Sequence, residues 1–138
     1  VAASVTAPDS SVLIAGYVPE HPFYREATES LPEVTQAGRL VAHTVAEAYS
    51  VLTGRYSHPP EKVLGYFAQF LTRPPVGLAP TAYPKALKTM AENQIVGGSI
   101  YDGLIAAAAA EAGLRLLSLD RRAARTYAML GADYEILI

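Results

Sequence analysis

Cysteine is absent from the 138 residues, which excludes a disulfide framework and thiolate metal sites and fits a reducing cytoplasm. Histidine is scarce: His21, His43 and His58 are scattered, none has a partner at metal-ligand spacing, and all three are expected to serve structure. Charge is sparse as well, with 17% Asp, Glu, Lys and Arg and a net charge of −2. No long basic track for nucleic acid exists, so any such contact must be local or metal-mediated. The longest apolar run, Leu104 to Ala110, falls far short of the ~20 residues of a membrane span, and the N-terminus has no basic signal region. A cytoplasmic protein without a membrane anchor is expected. What is plentiful is apolar side chain, 51% of the residues. That excludes disorder, supplies the core of one domain over 1–138 with a flexible 1–4, and leaves apolar surface for self-association.

Along the chain, the spacing predicts a strand from Val5 to about Asp9. The run Val12 to Val18 fits either a strand or a buried helix by periodicity, and Asp9 or Ser10 as a cap favours the helix. A second helix is predicted from Pro22 to Leu31, stopped by Pro32. Arg39 to Ala42 reads as a short strand, and Thr44 to Glu47 has capping-box spacing for a helix ending at Gly54. Pro59-Pro60 opens a helix with Val63, Leu64, Phe67 and Leu71 on one face, closed by Pro74-Pro75. A brief strand at Val76 to Leu78 and a helix near Thr81 to Asn93 follow. Ser99 and Asp102 repeat the capping-box spacing before an alanine-rich helix ending at Gly113; Leu114 to Leu119 is a buried strand, Asp120 caps a helix to Leu130, and Tyr134 to Ile138 is a last strand. Strands alternating with helices, without hairpin dipeptides, give an α/β fold around a mostly parallel sheet.

Ligands of such sheets gather beyond the carboxyl ends of the strands. Asp9, Glu47, Asp102 and Asp120 all fall at candidate strand-to-helix junctions. Each is also explained as a helix cap meeting the macrodipole, and local sequence alone does not separate a metal site from four capped helices.

The segments as a set resemble the PIN-domain family. Asp9-Ser10-Ser11-Val12-Leu13-Ile14-Ala15 is similar to its opening signature, Val45-Ala46-Glu47-Ala48-Tyr49 to its second acidic position, and Tyr101-Asp102-Gly103-Leu104-Ile105-Ala106-Ala107 to its third. Ser118-Leu119-Asp120-Arg121-Arg122-Ala123 is similar to the fourth, and Leu130-Gly131 to Ile136 to the closing turn and strand. Two departures stand out: Gly103 replaces a common alanine, and Ser118-Leu119-Asp120 a frequent Thr-Arg-Asp. The likeness is greatest to the VapC toxins. It implies a three-layer fold with helices flanking the sheet, endonucleolytic RNA cleavage leaving a 5′-phosphate, a homodimer and a VapB-type antitoxin partner.

Crowded carboxylates need a cation, and an oxygen-only set favours Mg²⁺ or Mn²⁺ over zinc. Under the resemblance Asp9 and Asp102 are core metal ligands. Glu47 is a ligand or orients water, Asp120 is peripheral or serves a second metal, and Ser11 supports Asp9. Arg121, Arg122 and Arg125 are candidates for RNA phosphate, against the alternative of a solvated helix face. The tyrosines are assigned to packing. The helix faces around Val63 to Leu71 and Leu87 to Ala91 are candidate partner surfaces. Two other classes compete: a catalytically silent PIN scaffold that binds protein, and a phospho-receiver. The second fits less well, because the chain has no adjacent acidic pair after its first strand and no lysine after Lys88.

Overall fold

Alternation of buried residues and parallel pairing set the frame, described over residues 5–138 of a computed structural model; the expected flexibility of 1–4 lies outside the described residues. Strand β1 (Val5–Pro8) pairs with β2 (Leu114–Ser118), which pairs with β3 (Asp133–Ile136), all parallel in the order β1-β2-β3. Successive side chains of β2 face opposite ways. Leu117 packs into a core with Val12, Leu13, Leu52, Phe67 and Phe70, whereas Leu116 packs into a second with Ile105, Ala109 and Tyr127. Helices α1 (Ser10–Ala15), α2 (Tyr24–Ala37), α3 (Ala42–Thr53) and α4 (Pro60–Ala68) supply the first layer. Helices α6 (Ser99–Ala112) and α7 (Ala124–Met129) supply the other, with α5 (Tyr83–Glu92) packed on α6. The expected three-layer α/β arrangement is thus present. No helix among the described residues is long and apolar enough to cross a membrane.

Several local expectations fail for identifiable reasons. Pro32 does not stop α2, which runs on to Ala37 and ends on the left-handed Gly38 (φ 61°). Pro32 lies on the exposed face, while Val34 is fully buried beyond it, so core burial outweighs the missing N–H. Replacing Pro32 with Ala restores a donor toward the preceding turn and should raise stability by roughly 1–3 kcal/mol, read by urea unfolding. Arg39 to Ala42 and Val76 to Leu78 are not strands: Val41 and Val76 share one parallel bridge, and α3 has already begun at Ala42. Helix α4 ends at Ala68 rather than near Pro74-Pro75, and Leu64 is 58% exposed while Val63 and Phe67 are buried.

Neither predicted capping box forms. The N-cap of α3 is Val41 and that of α6 is Gly98, so Thr44 and Ser99 lie inside their helices. Gly103 has a packing reason: a Cβ there would stand 2.3 Å from Sδ of the buried Met90.

Candidate active site at the carboxyl edge of the sheet

Parallel strands deliver their carboxyl ends to one edge of the sheet. Asp9 leaves β1 there, its backbone N–H bonded to the Leu117 carbonyl at 2.9 Å, and Asp120 follows β2 two residues beyond Ser118. Helices α3 and α6 are packed together and carry Glu47 and Asp102.

Asp9 is 2% exposed and fully engaged. Its Oδ1 accepts from the Ser11 hydroxyl and from the Val12 N–H at 3.3 Å, and its Oδ2 accepts from the Tyr127 hydroxyl at 2.7 Å. Burial pushes its pKa upward, and hydrogen bonds from Ser11, Ser118, Tyr127 and Val12 oppose that shift. Ser11 also accepts from the Leu119 N–H at 2.9 Å, so one hydroxyl ties the start of α1 to the end of β2. Ser118 accepts from the Asp120 N–H at 3.0 Å. In this chain the serine of Ser118-Leu119-Asp120 therefore sets the turn that carries the last acid.

Glu47 accepts from the Ser10 hydroxyl rather than capping its own helix. Asp102 has no hydrogen-bond or ion-pair partner among the described residues. Its pKa is pushed up to about 6, first by burial and then by the charges of Glu47, Asp9 and Asp120. Asp102 is thus near enough to Glu47, Asp9 and Asp120 to feel their charge. Asp120, like Asp9, is a helix N-cap, its Oδ1 accepting from the Arg122 N–H at 3.0 Å.

The arginines separate. Arg122 holds its Nε 3.6 Å from Asp120 Oδ1 and is 96% exposed. Arg125 instead donates to the Asn93 carbonyl at 2.8 Å, and Arg121 is exposed. Sequence reasoning missed Ser10, Ser118 and Tyr127. A serine directly after one acid, a serine two residues before another and a tyrosine seven residues after it carry no spacing signal; the fold brings Ser10 to Glu47 and Tyr127 to Asp9.

The donor set is carboxylate oxygen throughout, and its mutual repulsion at Asp102 is what a hard divalent cation relieves. Among the described residues, however, no three Asp, Glu or His side chains converge on one point as a ligand set. Asp9 and Glu47 are turned to hydroxyl donors instead. The residue types suit a hard divalent cation by their chemistry, while no ligand set is already formed among the described residues.

Residues 7–129 match the PIN domain. The chain belongs to the PIN-domain family, VapC type. Ribonuclease VapC40 of Mycobacterium tuberculosis, in strains CDC 1551 / Oshkosh and H37Rv, is 35% identical over 135 residues, 95% of this chain and 98% of the relative. Ribonuclease VapC27 of strain H37Rv is 36% identical over 95 residues, 67% of this chain and 69% of the relative. A PIN domain of this type leaves no place for the phospho-receiver reading.

The raised pKa of Asp102 has a measurable consequence in this PIN domain. Its folded value of about 6 lies above the ordinary 3.8, so the folded chain binds that proton more tightly than the unfolded chain. Stability is therefore lost as pH rises between those values. In EDTA, wild type should lose stability relative to Asp102→Asn from pH ~4 to ~6.5 and run parallel to it above, as thermal melts at constant ionic strength would read.

Proposed function

We propose that the chain is an endoribonuclease toxin that hydrolyses RNA phosphodiester bonds with Mg²⁺ or Mn²⁺, acts in the cytoplasm, and is restrained by a VapB-type antitoxin. The finding that carries this reading is the PIN-domain match over residues 7–129, and the charge of Glu47, Asp9 and Asp120 felt by Asp102 supports it. Near full-length similarity to Ribonuclease VapC40 supports it.

Each acid has a distinct part. Asp9 is held rigidly by Ser11, Val12 and Tyr127. Asp102 feels its charge and has no competing donor among the described residues, and these two are the core ligands in this reading. Glu47, steadied by Ser10, is a ligand or orients water. Asp120 remains bound to its own turn and is peripheral. When bound, the metal polarises the phosphodiester, lowers the pKa of attacking water and steadies the leaving oxygen. Arg122, beside Asp120, is placed to meet an adjoining phosphate.

Tyr83, Leu87 and Val96 are 40%, 47% and 70% exposed. On α5 and just after it, these side chains support an apolar surface for a second copy or the antitoxin, while the exposed Leu64 lies on α4 in the other layer. Val63 and Phe67 are occupied by the core and take no part in that surface.

The deciding experiment incubates purified protein with pooled cellular RNA in Mg²⁺, Mn²⁺ or EDTA and maps the product ends. Cleavage confined to the metal arms, leaving 5′-phosphates, is expected. A folded protein that cuts nothing in either metal would instead be a silent scaffold. Light scattering at micromolar concentration should give a dimer mass.

A further inference from the structure

Beside the acids lies an open cleft of about 380 Å³, bordered at its inner end by Ser11 and Asp120. Its walls carry aromatic rings and cations: Phe23 and His21 from the segment before α2, Arg55 and Tyr56 from the turn after α3, and Arg122 beside Asp120. The Arg55 guanidinium carbon lies over the Tyr56 ring, 5.7 Å from its centre, the His58 ring is stacked 6.4 Å from the same ring, and the His21 and Phe23 rings are 5.9 Å apart, so a base on Tyr56 takes the place of one of these neighbours. Arg55 is in none of the ion pairs among the described residues, so its charge is available to an anion.

Two other cavities lack this combination. One of about 400 Å³ between α5, α6 and the turn at Met129 to Gly131 contains none of the four acids. One of about 280 Å³ borders Glu47 and is lined by His43 and Tyr101, with no Arg or Lys. A neighbouring cavity of about 510 Å³ shares His21, Arg55 and Tyr56 but is lined by none of the four acids, so among these the cleft beside Asp120 joins an acid of the site to both rings and cations.

We propose that this cleft is a single-nucleotide subsite for unpaired RNA, with the base against Tyr56 and Phe23 and the phosphate next to the cleaved one on Arg55 and Arg122. The proposal rests on the ribonuclease reading above and names where the substrate lies. Ring faces accept any base by stacking, whereas a paired base keeps its faces inside the duplex. A volume near the lower end of small-ligand sites suits one nucleotide rather than a helix. His21 supplies no phosphate charge: burial and then the nearby Arg55 lower its pKa, and its Nδ1 accepts from the Phe23 N–H at 3.1 Å. The neutral ring retains one N–H donor for a base edge.

The test measures anisotropy of a short fluorescein-labelled single-stranded RNA with Asp102→Asn protein in Mg²⁺, with Arg55→Gln, Tyr56→Leu or Tyr56→Phe added. The same three substitutions in the active chain give KM and kcat. Tyr56→Leu and Arg55→Gln should each weaken binding about tenfold. Arg55→Gln should also flatten the salt dependence by roughly one unit of slope, with KM rising and kcat little changed. Tyr56→Phe should bind like the parent, because the ring face is retained, and a duplex of the same sequence should bind more weakly. Parent-like binding by both Arg55→Gln and Tyr56→Leu, or preference for duplex, overturns the subsite while cleavage by wild type leaves the ribonuclease reading standing. Failure of wild type to cleave, with RNA binding still dependent on Arg55 and Tyr56, overturns the ribonuclease reading and keeps the subsite.

Discussion

Asp102→Asn should reduce RNA cleavage at least about a hundredfold, the scale on which removal of one precisely placed charge-stabilising group acts, while leaving the fold intact. Asparagine keeps the size of the side chain and removes its charge. Because Asp102 has no partner to lose and sits among Glu47, Asp9 and Asp120, the metal-free variant should be at least as stable as wild type at neutral pH. Asp9→Asn should lose as much activity but also some stability, since Asp9 accepts from Ser11, Val12 and Tyr127 and an amide presents one oxygen where the carboxylate presents two. Asp120→Asn should cost about tenfold, in the range of outer-shell changes, because an amide oxygen can still accept from the Arg122 N–H. Initial rates in Mn²⁺, with circular dichroism melts on each variant, check the ranking. Full activity in folded Asp102→Asn would remove it from the ligand set, and equal losses at all positions would erase the distinction drawn for Asp120.

Three of the acids were legible in the sequence because their signal is order along the chain: Asp9 and Asp120 follow strands and Asp102 opens a helix, whereas Glu47 lies in the second turn of α3 with no strand before it. Their local chemistry was not. Thr44 and Ser99 have the spacing of capping boxes, yet the N-caps of α3 and α6 are Val41 and Gly98, three residues and one residue earlier, so Glu47 and Asp102 are released from capping. A boundary shift that small is set by tertiary contacts, here the Val41–Val76 bridge, which spacing does not encode. Pro32 misled in the same way, since its local cost was readable but the burial of Val34 that overrides it was not. The partners of the acids were least legible. Tyr127 reaches Asp9 across 118 positions of sequence, and the cleft beside Asp120 unites segments near His21 and Arg55 that share no motif.

Tyr127→Phe should weaken metal binding and cleavage by about ten- to a hundredfold, the range for groups that orient a ligand without touching the metal. The tyrosine is 1% exposed, and its hydroxyl donates to Asp9 Oδ2 at 2.7 Å. Phenylalanine fills almost the same space, so the packing of the ring between α6 and β2 survives, and what disappears is one donor to a buried carboxylate. An acceptor stripped of its partner inside the core costs about 1–3 kcal/mol, which should appear as a lower melting temperature in EDTA. The sign at the site follows from the same bond. Burial raises the pKa of Asp9 and the Tyr127 hydroxyl lowers it, so its loss lets a proton compete more strongly with the cation. The variant should therefore need more Mn²⁺ to reach half of its full melting-temperature rise, and the deficit should be larger at pH 6 than at pH 8. Saturating Mn²⁺ should recover most of kcat if the hydroxyl acts by orienting and charging Asp9. A variant with an unchanged Mn²⁺ midpoint, less stable but equally active, would reduce the bond to a contribution to folding.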